Sequence, residues 1–327
     1  MPNPKMILSK EYIDDVVKEI DKSKIRICIV VMVIIDDSST RILTEAIKKA
    51  ANRGVVVEMS ADVFTYAELS GFVFPTRYRS GFARQTNSMV SDLTKSGIKF
   101  TWLGTKNVTI FNGRTHDKWC VVDDISYTFG GVNLHKEGIE NNDYMFKIHD
   151  KDLSDKLVTE YHEITKTDSN YYSRRSDSTP INYGELLFDR GIVGDSLIYR
   201  RACKLTNQAK SVVLVSQYCP TGKLSKLLKK TDSKLFFNPP LNARRLNRIV
   251  IRISIFFTKN KTSYIKKQYL HAKFMIFTMP GGDKIAIAGS HNFVRSTSLL
   301  GTKEVAIQTS DKNIISQLEG FIKNQIN

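Results

Sequence analysis

Apolar positions along the chain fall into short blocks of two kinds. Lys24 to Ile35 is a β-branched run followed by Asp36-Asp37-Ser38-Ser39, which suits a strand buried on both faces and then a helix start. Thr40 to Arg53 places Ile42, Leu43, Ala46, Ile47 and Ala50 at helical spacing; Gly54 stops it, and Val55 to Met59 reads as another strand. A helix over Gln85–Ser96 and a strand over Ile98–Leu103 continue the alternation. Strand–helix–strand units of this kind specify a sheet with crossover helices, hence an α/β fold.

The second half starts the pattern again. A helix is expected over Asp195–Ala209, a buried strand over Ser211–Gln217, and a short amphipathic helix over Lys223–Lys230 carrying Leu224, Leu227 and Leu228. Between the halves, Thr167 to Pro180 is polar, rich in turn residues and without period, and reads as a linker. The expected domains are 1–166 and 184–327, joined by 167–183.

Two segments repeat a pattern that no period requires. His116-Asp-Lys118 is followed by Asp123 and then by Gly130-Gly131-Val132-Asn133; His271-Ala-Lys273 is followed by Gly289-Ser290-His291-Asn292. Each His-x-Lys opens an apolar strand (Trp119–Val122, Phe274–Phe277), and a second strand (Tyr127–Phe129, Ile285–Ala288) leads into the glycines. Extended backbone puts His and Lys on one face, and the hairpin can return the Asn beside them. An imidazole, a fixed cation and an amide on one patch match a phosphodiester, since Lys and Asn hold non-bridging oxygens while His works on phosphorus or the leaving oxygen. A carboxylate recurs after each motif: Asp143 opens one alternating run and Glu304 another. Placed near each imidazole, these carboxylates would orient it and favour its protonated form.

These residues resemble the phospholipase D superfamily, whose signature is His-x-Lys, Asp, then Gly-[Gly/Ser]-x-Asn, present twice in most lipid-acting members. The first copy matches at His116, Lys118, Asp123, Gly130, Gly131 and Asn133. The second matches at His271, Lys273, Gly289, Ser290 and Asn292, but Thr278 stands where the Asp is expected, and Asp283 in the longer turn is only a weak substitute. Tyr269 to Ile276 with Gly289 to Asn292 is most similar to cardiolipin synthases and related phosphatidyltransferases. The resemblance implies two phospholipase D-like repeats, each a mixed β-sheet flanked by helices, related by a pseudo-two-fold and sharing one active site. It implies a metal-independent two-step displacement with no cofactor, His116 as nucleophile and His271 as acid and base, and the paired Lys and Asn on the phosphoryl oxygens. The order of the two histidines stays open, because the two copies are nearly symmetric.

Composition sharpens the choice of substrate. The 327 residues include 41% hydrophobic and 25% charged, ordinary for a folded protein of two domains. The net charge is +16, from 49 basic and 33 acidic residues. Residues 201–280 hold 17 of the Lys and Arg and one acid, Asp232, leaving 49−17=32 basic and 33−1=32 acidic residues elsewhere. This basic stretch, with Lys223, Lys226, Lys229, Lys230, Arg244, Arg245, Arg248, Lys259, Lys261, Lys266 and Lys267, points to an anionic phospholipid or membrane surface, with nucleic acid as the alternative partner and no obligate protein partner evident.

The longest apolar run, Ile27–Ile35, is too short to span a bilayer, and Met1–Ser23 lacks a signal-peptide apolar region, so a cytoplasmic protein peripheral to a membrane is expected. The four cysteines have neither zinc nor disulfide spacing. His135, His149 and His162 read as surface or loop residues, and His291 is balanced between lining the site and not. About 30 extra residues precede the first motif, best placed at Val63–Arg84, whose Phe64, Tyr66, Phe72, Phe74, Tyr78 and Phe82 lie among Arg77, Arg79 and Arg84. They read either as a lipid- or base-contacting loop or as an extra helix packed into the core. Three functions remain: a phosphatidyltransferase or phospholipase on anionic lipid, a nuclease of the same superfamily, and a catalytically idle membrane-binding protein.

Overall fold

The computed structural model describes residues 3–70, 81–105, 113–170, 174–243 and 245–327. The chain divides into two compact units. The first comprises Met1–Thr128, Val132–Glu140 and Tyr144–Ser173; the second comprises Phe129–Gly131, Asn141–Asp143 and Arg174–Asn327.

The first unit contains strands β1 (Lys5–Leu8), β2 (Arg26–Val31), β3 (Val56–Asp62), β4 (Lys99–Leu103), β5 (Trp119–Val122), β6 (Ile125–Thr128) and β7 (Tyr144–His149). They form one sheet in the order β1-β7-β6-β5-β2-β3-β4. β2, β3 and β4 run parallel, joined by helices Arg41–Asn52, Phe64–Ser70 and Gly81–Lys95, whereas β5, β6 and β7 form an antiparallel meander. The β2 run was expected to be buried on both faces, and Ile27 to Val31 are all buried. Helix Ser9–Lys22, which the pattern reading did not anticipate, lays Tyr12, Ile13, Val16 and Ile20 against this core.

The second unit contains β8 (Asp177–Ile181), β9 (Gly184–Arg190), β10 (Ser211–Val215), β11 (Asp232–Phe236), β12 (Phe274–Thr278), β13 (Lys284–Gly289) and β14 (Lys303–Thr309). Their order is β11-β10-β12-β13-β14-β9-β8. β10 and β11 are parallel across helix Gly222–Leu228; every other pairing is antiparallel. Each unit thus carries the same core order, β7-β6-β5-β2-β3 answering to β14-β13-β12-β10-β11. β4 has no counterpart in the second unit, and β8 has none in the first.

The segment read as a linker is mostly regular structure. Its first residues finish helix Lys151–Asn170, and Asp177–Ile181 pairs with β9 as a hairpin. A polar Ser/Thr-rich strand shows no apolar alternation because it lies at the sheet edge, where Pro180 is also tolerated. Among the extra residues of the first half, Tyr66 and Ala83 are buried with Val63, and Trp102 packs on them. The described part is thus core at Tyr66 and Ala83 but exposed at Phe82 and Arg84; Phe72, Phe74, Arg77, Tyr78 and Arg79 lie outside the described residues. The four cysteines are free thiols in the interior.

Candidate active site

Strand polarity gathers the chemistry of each unit at one end of its sheet. The C-terminal ends of β2, β3 and β6 and the N-terminal end of β5 share that end, as do those of β10, β11, β13 and β12. His116 and Lys118 lie just before β5 and Asn133 just beyond β6; His271 and Lys273 lie just before β12, and Ser290 and Asn292 just beyond β13. All seven are buried.

The second unit assembles one cluster in full. Asp143 Oδ2 lies 2.7 Å from His271 Nδ1, so the carboxylate following the first motif partners the histidine of the second. Backbone pairing enforces this. The Asn142 N–H donates to the Tyr269 carbonyl, and the Asn142 carbonyl accepts from the N–H groups of His271 and Ala272. The Asn142 side chain is itself tied to the Gln325 carbonyl at 2.7 Å. With Nδ1 on a carboxylate, the ring is held in orientation from that side.

Lys273 is fully buried and donates to the His271 carbonyl at 2.5 Å, with Nζ 3.1 Å from His271 Nδ1. Burial pushes its ammonium down to about 8, while the charges of Asp143 and Glu304 pull it back up. Gly131 closes over the group: a Cβ there would fall 2.6 Å from Asp143 Oδ2 and 2.8 Å from Lys273 Nζ. Only a residue without a side chain permits that approach.

Glu304 is also buried, accepting hydrogen bonds from the hydroxyls of Ser290 and Thr302. Ser290 therefore stands to Glu304 somewhat as Gly131 stands to Asp143, each at the second position of its Gly-[Gly/Ser] pair. Opposite Glu304 in the sheet is Asp189, whose carboxyl burial raises to about 7, although it accepts from the Ser196 hydroxyl and the N–H groups of Ile198 and Leu197. Gly289 has a different role from Gly131. It packs against β14, where a Cβ would lie 2.2 Å from the Val305 carbonyl oxygen. Gly130 is buried in the turn after β6.

In the first unit, Lys118 donates to the His116 carbonyl at 2.7 Å, the same local bond that Lys273 makes to His271. The side-chain oxygens of Asn133 and Asn292 are buried and find no hydrogen-bond partner among the described residues. Buried polar atoms are seldom left so, and the two amides occupy equivalent motif positions in the two units.

Two positioning residues escaped the sequence reading. Asp62, at the end of β3, accepts from the Thr115 N–H at 2.8 Å and pairs with Arg114 Nη1 at 2.9 Å. Burial raises its carboxyl, against the pull of Arg114 and the Thr115 and Phe64 amides. Asn238, beyond β11, does the equivalent work: its Oδ1 accepts from the Leu270 N–H at 2.9 Å, and its Nδ2 donates to the Leu270 and Gln217 carbonyls. In each unit the residue before the motif histidine is clamped from the second parallel strand, next but one to the motif strand in the sheet. The signal is invisible in sequence, because the residue types differ and the separations are 116−62=54 and 271−238=33.

Other expected residues have structural roles. Asp123, in the left-handed region (φ 52), accepts from the N–H groups of Lys24, Ile25 and Arg26 and staples the β5–β6 turn to the start of β2. Burial works against its charge, but the Arg26, Lys24 and Ile25 amides hold the carboxyl below its usual range. The second unit closes the corresponding corner with main chain, the Lys210 N–H donating to the Thr278 carbonyl. Asp283 is exposed, its carbonyl accepting from the Met279 N–H within its own turn. His291 is a buried bracket, Nδ1 accepting from the Phe293 N–H and Nε2 meeting the Thr297 hydroxyl. His135, expected near the surface, is buried, with Nδ1 accepting from the Gly138 N–H and burial lowering its basicity. His149 and His162 are exposed as expected.

Residues 16–165 match the family described as cardiolipin synthase, PLD-like domain. The whole chain superposes on phosphatidylserine synthase of Haemophilus influenzae Rd KW20 with TM-score 0.72 at 14% identity, covering 99% of this chain and 86% of that one. The family match likens residues 16–165, a little under half of the chain, to the phospholipase D superfamily, and the structural match extends the shared fold over the rest. It also shares its fold with polyphosphate kinase from Porphyromonas gingivalis, at TM-score 0.64 and 12% identity over 97% of this chain and 49% of that one. No curated protein matches by sequence. Among the described residues, no helix is long and apolar enough to cross a membrane, and no three His, Cys, Asp or Glu side chains converge as metal ligands.

Proposed function

We propose that this chain is a phosphatidyltransferase or phospholipase of the phospholipase D type that acts on anionic phospholipids. The observation that carries the reading is the buried Asp143–His271–Lys273 cluster under Gly131: an oriented imidazole beside a cation, which is the equipment for phosphoryl transfer. The basic excess of residues 201–280 favours a substrate presented on an anionic surface.

In this reading His116 attacks phosphorus, forming an N–P bond as the bond to the leaving alcohol breaks, and His271 gives its Nε2 proton to the departing oxygen. Water or an acceptor alcohol then returns a proton to His271 and displaces His116 from phosphorus, regenerating both rings. Asp143 holds the His271 ring through Nδ1 throughout. Lys118, Lys273, Asn133 and Asn292 supply the charge and hydrogen bonds for the non-bridging oxygens.

The test is to give the purified chain phosphatidylglycerol in vesicles and, separately, single- and double-stranded DNA and RNA. Release of phosphatidic acid or formation of a new phosphatidyl ester, abolished by both His116→Asn and His271→Asn, is the expected result. Turnover of nucleic acid alone would overturn the lipid reading, and a fully active single variant would overturn the two-histidine mechanism.

A further inference from the structure

Helix Arg245–Thr258 presents an apolar stripe to solvent. Ile249, Val250, Ile253, Phe256 and Phe257 follow helical spacing on one side and are 53%, 46%, 52%, 65% and 76% exposed. The opposite side is the one that packs: Ile251 is fully buried, and Ile255 joins the core around Phe277 and Phe237. Arg252 and Lys259 border the stripe, both exposed, and Lys259 Nζ lies 4.5 Å from the centre of the Phe256 ring. Around the helix axis, then, a core face, a basic flank and an exposed apolar face follow one another. A solvated surface helix carries charge where this one carries two phenylalanines.

The helix has 14 residues, about 21 Å at 1.5 Å per residue, too short to span a bilayer but suited to lie in its interface. It is also tied to the site. The Tyr218 hydroxyl donates to Asn247 Oδ1 at 2.9 Å, and Gln217 Nε2 donates to the hydroxyls of Tyr218 and Tyr269 at 3.2 and 3.1 Å. Tyr269 is two residues before His271, and its carbonyl accepts from the Asn142 N–H.

We propose that helix Arg245–Thr258 is a membrane-docking element that inserts Ile249, Ile253, Phe256 and Phe257 into the interface of an anionic phospholipid bilayer. The inference rests on the lipid reading of the active site and names the surface by which that substrate is met. The occupant is a bilayer because the exposed face is apolar and edged by the cations Arg252 and Lys259. That combination fits lipid tails below anionic headgroups. A nucleic acid would require the cations themselves to face outward along the stripe.

The full-length chain is floated with vesicles of about three parts phosphatidylcholine to one part phosphatidylglycerol, and with phosphatidylcholine alone. It should partition onto the anionic vesicles and far less onto the neutral ones. Phe256→Ser with Phe257→Ser should weaken partition about a hundredfold, roughly tenfold per ring withdrawn from the interface. Arg252→Gln with Lys259→Gln should weaken binding to the anionic vesicles about 25-fold, roughly fivefold per charge.

An unchanged circular dichroism spectrum and melting temperature show that these variants fold. A Phe256→Trp variant gives an independent readout, a blue-shifted emission quenched by brominated lipid. Absence of partition by the wild-type chain, or full partition by the double Phe variant, overturns the proposal. So does binding of single-stranded DNA, in place of vesicles, through the same phenylalanines. Flotation needs no turnover. A chain that floats without cleaving lipid leaves the docking helix standing and removes the proposed reaction; one that cleaves monodisperse short-chain lipid without floating does the reverse.

Discussion

Replacing Gly131 by alanine tests the proposed catalytic cluster with the smallest possible change. Gly131 has no positive φ, so alanine adds no backbone strain, and the whole effect comes from one methyl group. Its Cβ would sit 2.6 Å from Asp143 Oδ2, 2.8 Å from Lys273 Nζ and 3.0 Å from His271 Nδ1. Non-bonded carbon needs about 3.5 Å, so the carboxylate has to retreat by roughly 1 Å. The 2.7 Å bond from Asp143 to His271 cannot survive that retreat with its alignment.

A displacement of this size costs about 100-fold in rate, or about 2.7 kcal/mol of transition-state stabilisation. Overpacking takes about 1–3 kcal/mol from stability, which leaves the chain folded. Steady-state kcat and kcat/KM on the proposed phospholipid substrate are measured beside a thermal melt, with Gly281→Ala as control, since a Cβ there meets nothing within 4 Å. A Gly131→Ala protein with wild-type kcat would refute the reasoning, because the Asp143–His271 contact would then be dispensable.

Three further predictions follow from individual contacts. Asp143→Asn should lower kcat by about 10²–10⁴ with little change in melting temperature, as loss of an imidazole-orienting carboxylate does elsewhere; an equal loss of stability would mark Asp143 as merely structural. Because burial pushes Lys273 down to about 8, kcat/KM should fall above about pH 8 as the ammonium loses its proton, and Lys273→Arg should abolish that limb whatever its rate; for stability the sign is opposite, a rise between about 8 and the unfolded value of 10.5, where only the unfolded chain binds the proton. Asp123→Ala should cost about 1–3 kcal/mol in urea melts while sparing kcat; because its folded carboxyl is held below the usual range, the wild-type advantage is present at neutral pH and is lost as pH falls through that range and beneath it.

The strand Trp119–Val122 was legible to the residue, and β10 and β12 nearly so, because central strands bury both faces and need apolar runs whatever surrounds them; the run Lys24–Ile35 contained β2 but overran it at both ends. The edge strand Asp177–Ile181 was read as linker, since half its surroundings is water and its polar sequence is permitted by its place alone. Helix Arg245–Thr258 was seen only as basic charge; its apolar side looks like core in sequence, and burial alone reveals that Phe256 and Phe257 face outward. The histidines and lysines were found because the motif is local and repeats.

By itself the sequence determined the two α/β halves, the paired His-x-Lys and Asn motifs, and the concentration of positive charge in residues 201–280. Those are properties of spacing and composition, carried by neighbours along the chain. Only the tertiary structure decided which partner each group meets: that Asp143 orients His271, that Asp62 and Asn238 clamp the residues before the histidines, and that Asp123 is a staple. These contacts span 128, 53, 32 and 98 residues of sequence. Strand order sets them, through long-range packing that no local pattern encodes.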